Sequence, residues 1–521
     1  MILFLCVAVS VMAQTIQNPI TPGFYPDPSI CRVGSDYYRV NSSFEYFPGV
    51  PVFHSKDLVN WEQIGHCLTR KSQFDATGLN PSDGIYAPTI RYHKGTFYMI
   101  TTLVRNKTYR NFYVTTDDIH SGEWSEPVFV DQSGIDPSLF WDKDDRCYLV
   151  SNRGMVYDTN RGIFQSEIDV KTGKRLTEPK KIWNGSGGSY IEGPHMYERN
   201  GYYYLLAAEG GTMYGHMVTI ARSKQIYGPY ESCPYNPILS NRHAYEQLHG
   251  TGHGDLVEDE NGNWWMVHLA VRTARRTMSH LGRETFLTSV TWKDGWPYVG
   301  GNKLETIERE GPLWAGQERV QLWSADFSSK NWEAPWLFLR ERRDSLFKRG
   351  DGKLSLIPSV QADGTDIGST FAAVRPLDFE CIVETELRFC PEQTGDEAGL
   401  LIYLESKFHY RFCKKRLDDG VFLVLEKTAE DFKQTICFAP VRDGNIWLRI
   451  ECDREQYHFY YALEGGPFTL AGTASTRFLS CEIAGKCFTG TVVGLYALAQ
   501  KQTSAYAEAK SFSIGPVDAY K

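Results

Sequence analysis

The sequence predicts an all-β protein that consists of a five-bladed β-propeller followed by a C-terminal antiparallel β-sandwich. Five related segments recur about every 50 to 60 residues in the first three hundred residues. Aromatic residues make up 14% of the chain and glycine occurs 46 times, a composition typical of many short strands joined by tight turns. The last third of the chain carries short alternating apolar runs instead of the repeat.

Each repeat combines a short turn, two or more apolar residues, a polar gap and an aromatic strand. The repeats are DPSICRVGSDYY from Asp27, APTIRYHKGTFY from Ala87, DPSLFWDKDDRCY from Asp136, GPHMYERNGYYY from Gly193 and HGDLVEDENGNWW from His253. One hairpin per repeat at this period is typical of a propeller blade, so the sequence predicts five blades over residues 17–305. A single sandwich that contains five fortuitous repeats is the alternative.

The second predicted domain is an antiparallel β-sandwich over residues 322–521. Its strand-like runs cover residues 354–357, 379–383, 399–403, 421–425, 446–450 and 456–461. Alternating patterns separated by turns favour two packed antiparallel sheets. The segment from Gly300 to Trp323 lacks clear periodicity and is predicted to be a linker.

The first 13 residues form an apolar run that ends in Val11-x-Ala13. This pattern resembles the hydrophobic core and cleavage site of a secretory signal peptide, so we expect an exported protein that is periplasmic or secreted. An N-terminal membrane anchor is the alternative, but about 20 apolar residues are needed to cross a bilayer. No later run reaches that length, and no membrane span is predicted.

Charge and cysteine usage exclude several classes of protein. The net charge is −8 and the pI is near 6.0, which argues against a protein that binds nucleic acid through its phosphates. The twelve cysteines show neither a CxxC pair nor a Cys/His spacing that suits zinc. We therefore expect buried, apolar cysteines, with one or two disulfides at most and no disulfide scaffold.

Three repeats place a carboxylate at the end of the strand that faces the propeller axis. Asp27 and Asp136 occupy the same repeat position and Glu192 lies one residue before it, whereas the other two repeats have Ala87 and His253. Carboxylates gathered away from water are costly unless they serve a function or bind a cation. Each one alone has a structural explanation, because Asp-Pro commonly starts a turn.

Carboxylates that face each other across a sugar ring are the apparatus of glycoside hydrolysis. One protonates the departing oxygen while the other activates water or attacks carbon. A third carboxylate nearby raises the pKa of the acid, and exposed aromatic rings stack on the sugar. The sequence therefore predicts a carbohydrate-active site on the propeller axis.

These acidic motifs resemble those of glycoside hydrolase family 43, in its β-xylosidase and α-L-arabinofuranosidase branch. The resemblance covers residues 17 to about 300 and includes FEYFPGV from Phe44, HSKDL from His54, EGGT from Glu209 and LGRET from Leu281. It implies a five-bladed propeller, action by inversion and a C-terminal, concanavalin-like sandwich.

The resemblance also implies roles for individual residues. Asp27 is expected to be the general base, Glu192 the general acid and Asp136 the group that modulates the pKa of the acid. Arg283 is expected to hold the sugar and the carboxylates, because a guanidinium matches their geometry. A solvated surface arginine is the alternative for Arg283.

Further residues are expected around the substrate. Phe44 and Tyr86 should line the subsite for the terminal sugar, with Tyr86 where related enzymes often have Trp. The alternative is that both are ordinary aromatic residues of the blade cores.

His253 should lie at the axis near water or a calcium ion, or else be a hydrogen-bonded core residue. No cofactor is required, and calcium near His253 is an option. Three nearby polar residues receive no predicted role: Glu45, Glu209 and His249.

The resemblance makes an exo-acting, inverting α-L-arabinofuranosidase the leading functional hypothesis. Its expected partner is an oligosaccharide substrate, from plant cell-wall hemicellulose of the arabinoxylan or xyloglucan type. A β-D-xylosidase or an enzyme of dual specificity is the close alternative. Two other classes are a retaining fructosidase or sugar phosphorylase on the same fold, and a non-catalytic glycan-binding propeller. The oligomeric state is left open.

Overall fold

The structure is a computed structural model that describes residues 14–520 except 155–159, 245–246, 302–303, 313–314, 361–367, 465 and 486. The predicted signal peptide, residues 1–13, lies outside the described residues. The molecule is almost entirely β, as the sequence predicts. None of the helices in the described part of the chain is long and apolar enough to cross a membrane.

Five separate antiparallel sheets form the first half of the molecule, one for each sequence repeat. Blade 1 comprises Ser29–Val33, Asp36–Val40, Gly49–Ser55 and Glu62–Leu68. Blade 2 comprises Gly84–His93, Thr96–Arg105, Thr108–Thr116 and Val128–Val130. Blade 3 comprises Ser138–Trp141, Cys147–Arg153, Gly162–Asp169 and two short outer strands, Lys174–Arg175 and Lys180–Trp183.

The last two blades complete a closed ring. Blade 4 comprises Glu192–Arg199, Tyr202–Glu209, Met217–Ser223 and Glu231–Ser232. Blade 5 comprises Leu248–Glu258, Trp264–Arg272, Glu284–Lys293 and Trp296–Val299. The first strand of every blade contacts the first strands of its two neighbours, and that of blade 5 returns to blade 1. The predicted five-bladed propeller is therefore confirmed.

Alternation along the strands explains why the blades pack face to face. In blade 4, Leu205 and Ala207 lie in the apolar core shared with blade 3, whereas Tyr204 and Leu206 lie in the core shared with blade 5. Successive side chains of a strand point to opposite faces, so each blade serves two cores at once. Five such cores separate the five blades.

The ring closes in a segment where the sequence predicts a linker. Strand Glu308–Gly311 pairs antiparallel with the N-terminal strand Gln14–Gln17. Ile16 is buried in the core between blades 5 and 1. This short pair has too few residues to show periodicity in the sequence, and pairing across the whole propeller makes it a strand.

The second half of the chain is a sandwich of two large sheets. One sheet comprises, in spatial order, Phe347–Gly350, Lys353–Leu356, Ala507–Pro516, Glu380–Phe389, Gly444–Asp453, Gln456–Leu463 and Thr469–Ser475, with Trp323–Ala325 also paired to Ala507–Pro516. The other comprises Phe432–Pro440, Gly420–Ala429, Phe408–Leu417, Glu397–Glu405, Val492–Ala499, Phe371–Val374, Leu337–Leu339 and Tyr46–Phe47, with Ser359–Val360 paired to Val492–Ala499. Helical turns in the described ranges are the α-helix Cys481–Ala484 and the 3-10 turns Ile119–Ser121, Asp344–Leu346, Thr476–Leu479 and Val517–Tyr520.

The sandwich and the propeller share a sheet and a core. Strand Tyr46–Phe47, which lies between two strands of blade 1, pairs with Leu337–Leu339 at the edge of the second sandwich sheet. Phe24 and Phe44 of the propeller pack in one buried cluster with Tyr403 and other residues of that sheet. The sandwich is thus fixed against the propeller face that carries Phe44.

The eleven described cysteines are all free thiols, and eight of them are buried. The expectation that most cysteines are buried, apolar side chains therefore holds for the described residues, and no disulfide is present among them.

Candidate active site

The axial position of the repeat has a distinctive backbone in four of the five blades. Asp27, Asp136, Gly193 and His253 all adopt a left-handed conformation, with φ of 52°, 56°, 56° and 45°. This conformation is unfavourable for residues other than glycine, and it persists where the surrounding structure imposes it. Blade 4 places glycine at this position, which explains why its acid, Glu192, comes one residue earlier.

Gly193 connects the blade 3 and blade 4 acids. Its N–H donates a hydrogen bond of 2.9 Å to Oδ2 of Asp136. A Cβ at this glycine would lie 2.9 Å from Cε1 of His253, closer than side chains approach. Only glycine therefore allows the three blades to meet here.

Asp27 is buried and surrounded by groups that stabilise its charge. Arg283 Nη1 donates to Oδ1 at 2.8 Å and Ser42 Oγ donates to Oδ2 at 2.6 Å, while His253 Nδ1 lies 3.7 Å from Oδ1. Burial alone raises the pKa of Asp27, but the charges of Arg283 and His253 and the Ser42 hydrogen bond outweigh it. The net effect lowers the pKa, so Asp27 is ionised at neutral pH.

Asp136 and Glu192 show the opposite shift. Burial, together with the charge of Asp27, raises the pKa of Asp136 to about 6. Burial and the charges of Asp136 and Asp27 raise the pKa of Glu192 well above its ordinary value, against the weaker opposing charge of Arg283. Three carboxyl groups close enough to influence one another cannot all ionise cheaply, and the proton resides on Glu192.

Arg283 is a buried member of this site, which excludes the alternative of a solvated surface arginine. Besides Asp27, its guanidinium donates to Thr212 Oγ1 at 2.9 Å and to the Phe488 carbonyl at 3.0 Å. The cation lies 5.5 Å from the ring centroid of Phe44 and 5.7 Å from that of Phe488. Arg283 thus connects the acids to the aromatic side of the site.

Three aromatic rings meet on that side. Phe44 lies 5.2 Å from Tyr86 and 5.8 Å from Phe488 between ring centroids, and Tyr86 lies 5.8 Å from Phe488. Phe44 is buried in the core between the domains, whereas Tyr86 is partly exposed and anchored by its OH to the Ser82 carbonyl at 2.8 Å. Phe44 therefore lies beside Arg283, and Tyr86 lies beside Phe44 and Phe488. Phe44 is also a residue of the core between the domains.

Phe488 is a site residue that the sequence analysis does not identify. It belongs to the sandwich and lies 205 positions from Arg283 in the chain. Nothing in the local sequence CFTGT marks it, because its proximity to the acids depends entirely on how the two domains pack.

His253 lies at the axis, as its repeat position predicts. Its ring packs on Gly193 and its centroid is 6.5 Å from that of His195. Calcium prefers six to eight oxygen ligands, and no group of three or more potential metal ligands occurs among the described residues. No step of the chemistry is assigned to a metal.

Glu209 is a second residue whose role only the structure reveals. Its buried carboxylate accepts hydrogen bonds from the N–H groups of Ser186 at 2.7 Å and Gly188 at 2.6 Å, and from Thr219 Oγ1 at 2.7 Å. It thereby holds the glycine-rich loop that leads into Glu192. The motif EGGT marks the residue in sequence but does not reveal its partners.

The arrangement offers an ionised carboxylate, a protonated carboxyl group and a cation within one partly buried site. These groups can remove a proton from one reacting atom and donate a proton to another in the same step. All seven predicted site residues are brought together: Asp27, Asp136, Glu192, Arg283, Phe44, Tyr86 and His253.

Comparison with known proteins gives matches over both halves of the chain. Residues 16–297 match Glycosyl hydrolases family 43, and residues 324–514 match a domain described as the β-xylosidase C-terminal concanavalin A-like domain. A non-reducing end α-L-arabinofuranosidase of Bacteroides ovatus is 38% identical over 508 residues, which cover 95% of this chain and 94% of that protein. A xylosidase/arabinosidase of Butyrivibrio fibrisolvens is 36% identical, over 94% of this chain and 96% of that one.

Solved structures show the same architecture. The crystal structure of a xylan β-1,4-xylosidase from Bacillus halodurans superposes with a TM-score of 0.90 at 36% identity, and covers 96% of this chain and 100% of that one. The similarity therefore extends through both the propeller and the sandwich.

Proposed function

The chain belongs to glycoside hydrolase family 43, and from this premise we propose that it is an exo-acting, inverting α-L-arabinofuranosidase. Its proposed substrates are hemicellulose oligosaccharides of the arabinoxylan or xyloglucan type. In the proposed reaction, Asp27 accepts a proton from the water that attacks the anomeric carbon. Glu192 donates its proton to the departing oxygen, and Asp136 keeps Glu192 protonated until then.

The observation that carries this proposal is the different surroundings of two carboxyl groups in one site, because Asp27 is bonded to Arg283 and Ser42 whereas Glu192 faces the charges of Asp136 and Asp27. A base must be ionised and an acid must be protonated at the same pH. The lowered pKa of Asp27 and the raised pKa of Glu192 meet this requirement. Arg283 is hydrogen-bonded to Asp27, and in the proposed complex its guanidinium also donates to hydroxyl groups of the sugar.

The choice of arabinofuranose rests on similarity. One relative is named as a non-reducing end α-L-arabinofuranosidase, and it aligns with nearly the whole chain. β-D-Xylosidase activity is the second candidate, because another relative is named as a xylosidase/arabinosidase and a similar solved structure as a xylan β-1,4-xylosidase. Both sugars are pentoses, so one pocket with both activities also fits the proposal.

A panel of aryl α-L-arabinofuranosides and β-D-xylopyranosides tests the specificity. We expect the larger kcat/KM on the arabinofuranoside, and a larger value on the xyloside would replace the first candidate by the second.

Following the anomeric proton by NMR tests the stereochemistry. Initial release of the β-anomer of arabinose supports inversion, whereas initial release of the α-anomer removes Asp27 from the role of base.

The alternative of a non-catalytic glycan-binding propeller has its own test. Asp27→Asn and Glu192→Gln should each lower kcat by about 10²- to 10⁴-fold if the residues act as base and acid. Oligosaccharide binding, measured by calorimetry, should persist in both variants. No detectable hydrolysis by the unchanged protein, combined with retained binding, would favour the binding role.

We propose further that the protein is exported and that residues 1–13 are removed. The apolar run before Gln14 supports this proposal. Mass spectrometry of the protein from its native host checks it, since a mature chain that begins at or near Gln14 is expected, and an intact Met1 in a cell-associated protein would contradict it.

A further inference from the structure

One segment of the sandwich reaches across to the propeller beside the acids. We call residues 480–485 and 487–491 the docking loop. Glu482 forms an ion pair of 3.2 Å with His249 of blade 5. Phe488 donates its N–H to Ser82 Oγ at 2.9 Å and accepts a hydrogen bond from Arg283 at 3.0 Å. The docking loop therefore positions Phe488 against a residue that also holds Asp27.

Two thiols of the docking loop meet at one carbonyl group. Cys481 Sγ donates to the Thr489 carbonyl oxygen at 2.7 Å, and Cys487 Sγ lies 3.6 Å from the same oxygen. Cys487 is buried, whereas Cys481 is partly exposed. Both sulfur atoms therefore lie close to one carbonyl oxygen, Cys481 is the more exposed of the two residues, and Phe488 follows Cys487 directly in the chain.

The two thiols also influence each other chemically. The interaction between the two thiols is the main cause that lowers the pKa of Cys487 and raises the pKa of Cys481. Cys381 and Cys452 provide a contrast within the same domain, because they lie directly opposite on neighbouring strands and burial raises the pKa of both. Cys487 therefore loses its proton to form a thiolate more easily than Cys381 or Cys452 does.

We propose that Cys481 and Cys487 are a redox-active pair that closes to a disulfide and thereby fixes the docking loop, with Phe488, over the active site. The oxidant is a disulfide compound such as oxidised glutathione. Cys481, the more exposed of the two residues, displaces one glutathione as a thiol and forms a mixed disulfide. The thiolate of Cys487 then attacks Cys481 Sγ and releases the second glutathione, so two cysteine thiols are oxidised and one external disulfide is reduced to two thiols.

Closing this small ring removes open conformations of the loop. The oxidised protein should therefore have a Tm higher by roughly 2 °C than the reduced protein. A preorganised Phe488 should also lower KM for the oligosaccharide by about two- to threefold, with a smaller change in kcat. The KM expectation rests on the proposed function, whereas the bond itself and the Tm do not.

Tryptic mapping tests the bond directly. Trypsin cleaves after Arg477, Lys486 and Lys501, so the two cysteines fall on peptides 478–486 and 487–501. After equilibration with oxidised glutathione, we expect these peptides to remain linked until a reductant is added. Separate peptides, or a link between Cys381 and Cys452 in their place, would overturn the proposal.

Variants connect the bond to its consequence. Cys481→Ser and Cys487→Ser should each abolish the redox dependence of Tm and KM, while Cys390→Ser, at an exposed cysteine outside the loop, should retain it. If a variant does not fold, the oxidised and reduced forms of the unaltered protein still give the comparison. If the peptides are linked but the Tm does not change, the disulfide does not stabilise the docking loop. If the Tm rises but KM is unchanged, the disulfide does not position Phe488 for the substrate.

Discussion

At the scale of single residues, the site works because three similar carboxyl groups have different partners. Asp27 accepts hydrogen bonds from Arg283 and Ser42, whereas Asp136 accepts one from a backbone N–H. No hydrogen bond to the Glu192 carboxyl group occurs among the described residues. The order of proton affinity follows from these partners, since ionised carboxylates are stabilised by cations and donors.

Asp136→Asn should separate the effect of charge from that of shape. The charge of Asp136 is, after burial, the main cause of the raised pKa of Glu192, so its removal lowers that pKa. Because Glu192 must be protonated, the alkaline limb of the kcat/KM profile should move to lower pH by about 1 unit. Asp144→Asn, at an exposed aspartate of the same blade, should leave the limb unchanged. An unmoved limb in Asp136→Asn would contradict the modulating role.

Glu209 is expected to be a positioning residue. Glu209→Ala leaves the N–H groups of Ser186 and Gly188 without their acceptor, so we expect a stability loss of about 2–4 kcal/mol and a fall in kcat of about tenfold or more. Glu209→Gln, which keeps one carbonyl acceptor, should recover part of kcat. Glu231→Ala, at an exposed position of the same blade, is the control. The positioning role would be contradicted if Glu209→Ala lowers the Tm but leaves kcat unchanged at a temperature where the variant is folded. Glu209 would then contribute to stability alone.

At the scale of the element, four of the five blades have a left-handed residue in the inner strand or just before it, and this corner presents a side chain to the axis. In blade 4 the strand pairing shifts register between Glu192 and His195. The pairing of the first two strands also shifts register in blades 2 and 5. Such irregularities re-aim side chains at the ends of strands, and here they direct them to the site.

Gly193→Ala tests whether this corner depends on close contact. The change adds left-handed strain and places a methyl group against the His253 ring, so kcat/KM should fall by about 10²-fold because Glu192 and the bond to Asp136 are displaced. Gly201→Ala is a matched control, since Gly201 has φ of 76° and open space around it. Both variants should lose about 1 kcal/mol from strain. Equal activity in the two would contradict the contact argument.

At the scale of the whole molecule, the two domains form one folding unit. Strand Tyr46–Phe47 completes a sandwich sheet although its neighbours in the chain belong to blade 1. The sandwich in turn supplies Phe488 to the site. A chain without the sandwich would expose Phe24 and Phe44, which the shared core now buries.

We therefore expect a single thermal transition. Leu400→Ala, deep in the sandwich core, should cost about 2–5 kcal/mol and lower the Tm of the whole molecule. Calorimetry should show one peak, and loss of activity on heating should follow that peak. Two separated peaks, with activity lost only at the higher one, would contradict coupling between the domains. Leu470→Ala, at an exposed leucine of the same domain, should shift neither measurement.

Much of the fold and of the acidic site follows from repetition. The spacing of the repeats predicts five blades, and the equivalence of Asp27 and Asp136 predicts convergence at the axis, because equivalent positions of blades meet there. Arg283, Phe44, Tyr86 and His253 lie near Asp27 or near one another, and their roles toward the substrate stay predictions. The closing strand Glu308–Gly311 is the main element missed, since four residues carry no periodic signal.

The sequence by itself determined the architecture and the chemical groups at the axis, because a repeating unit records its geometry locally, in every copy. Tertiary structure alone decided the rest: the partners of Glu209, the strand Tyr46–Phe47 in the sandwich and the contact of Phe488 with Arg283. These depend on non-repeating surfaces that meet only after folding. Phe488 N–H donates a hydrogen bond of 2.9 Å to Ser82 Oγ, although the two residues are 406 positions apart in the chain. Nothing in the sequence around either residue predicts this contact.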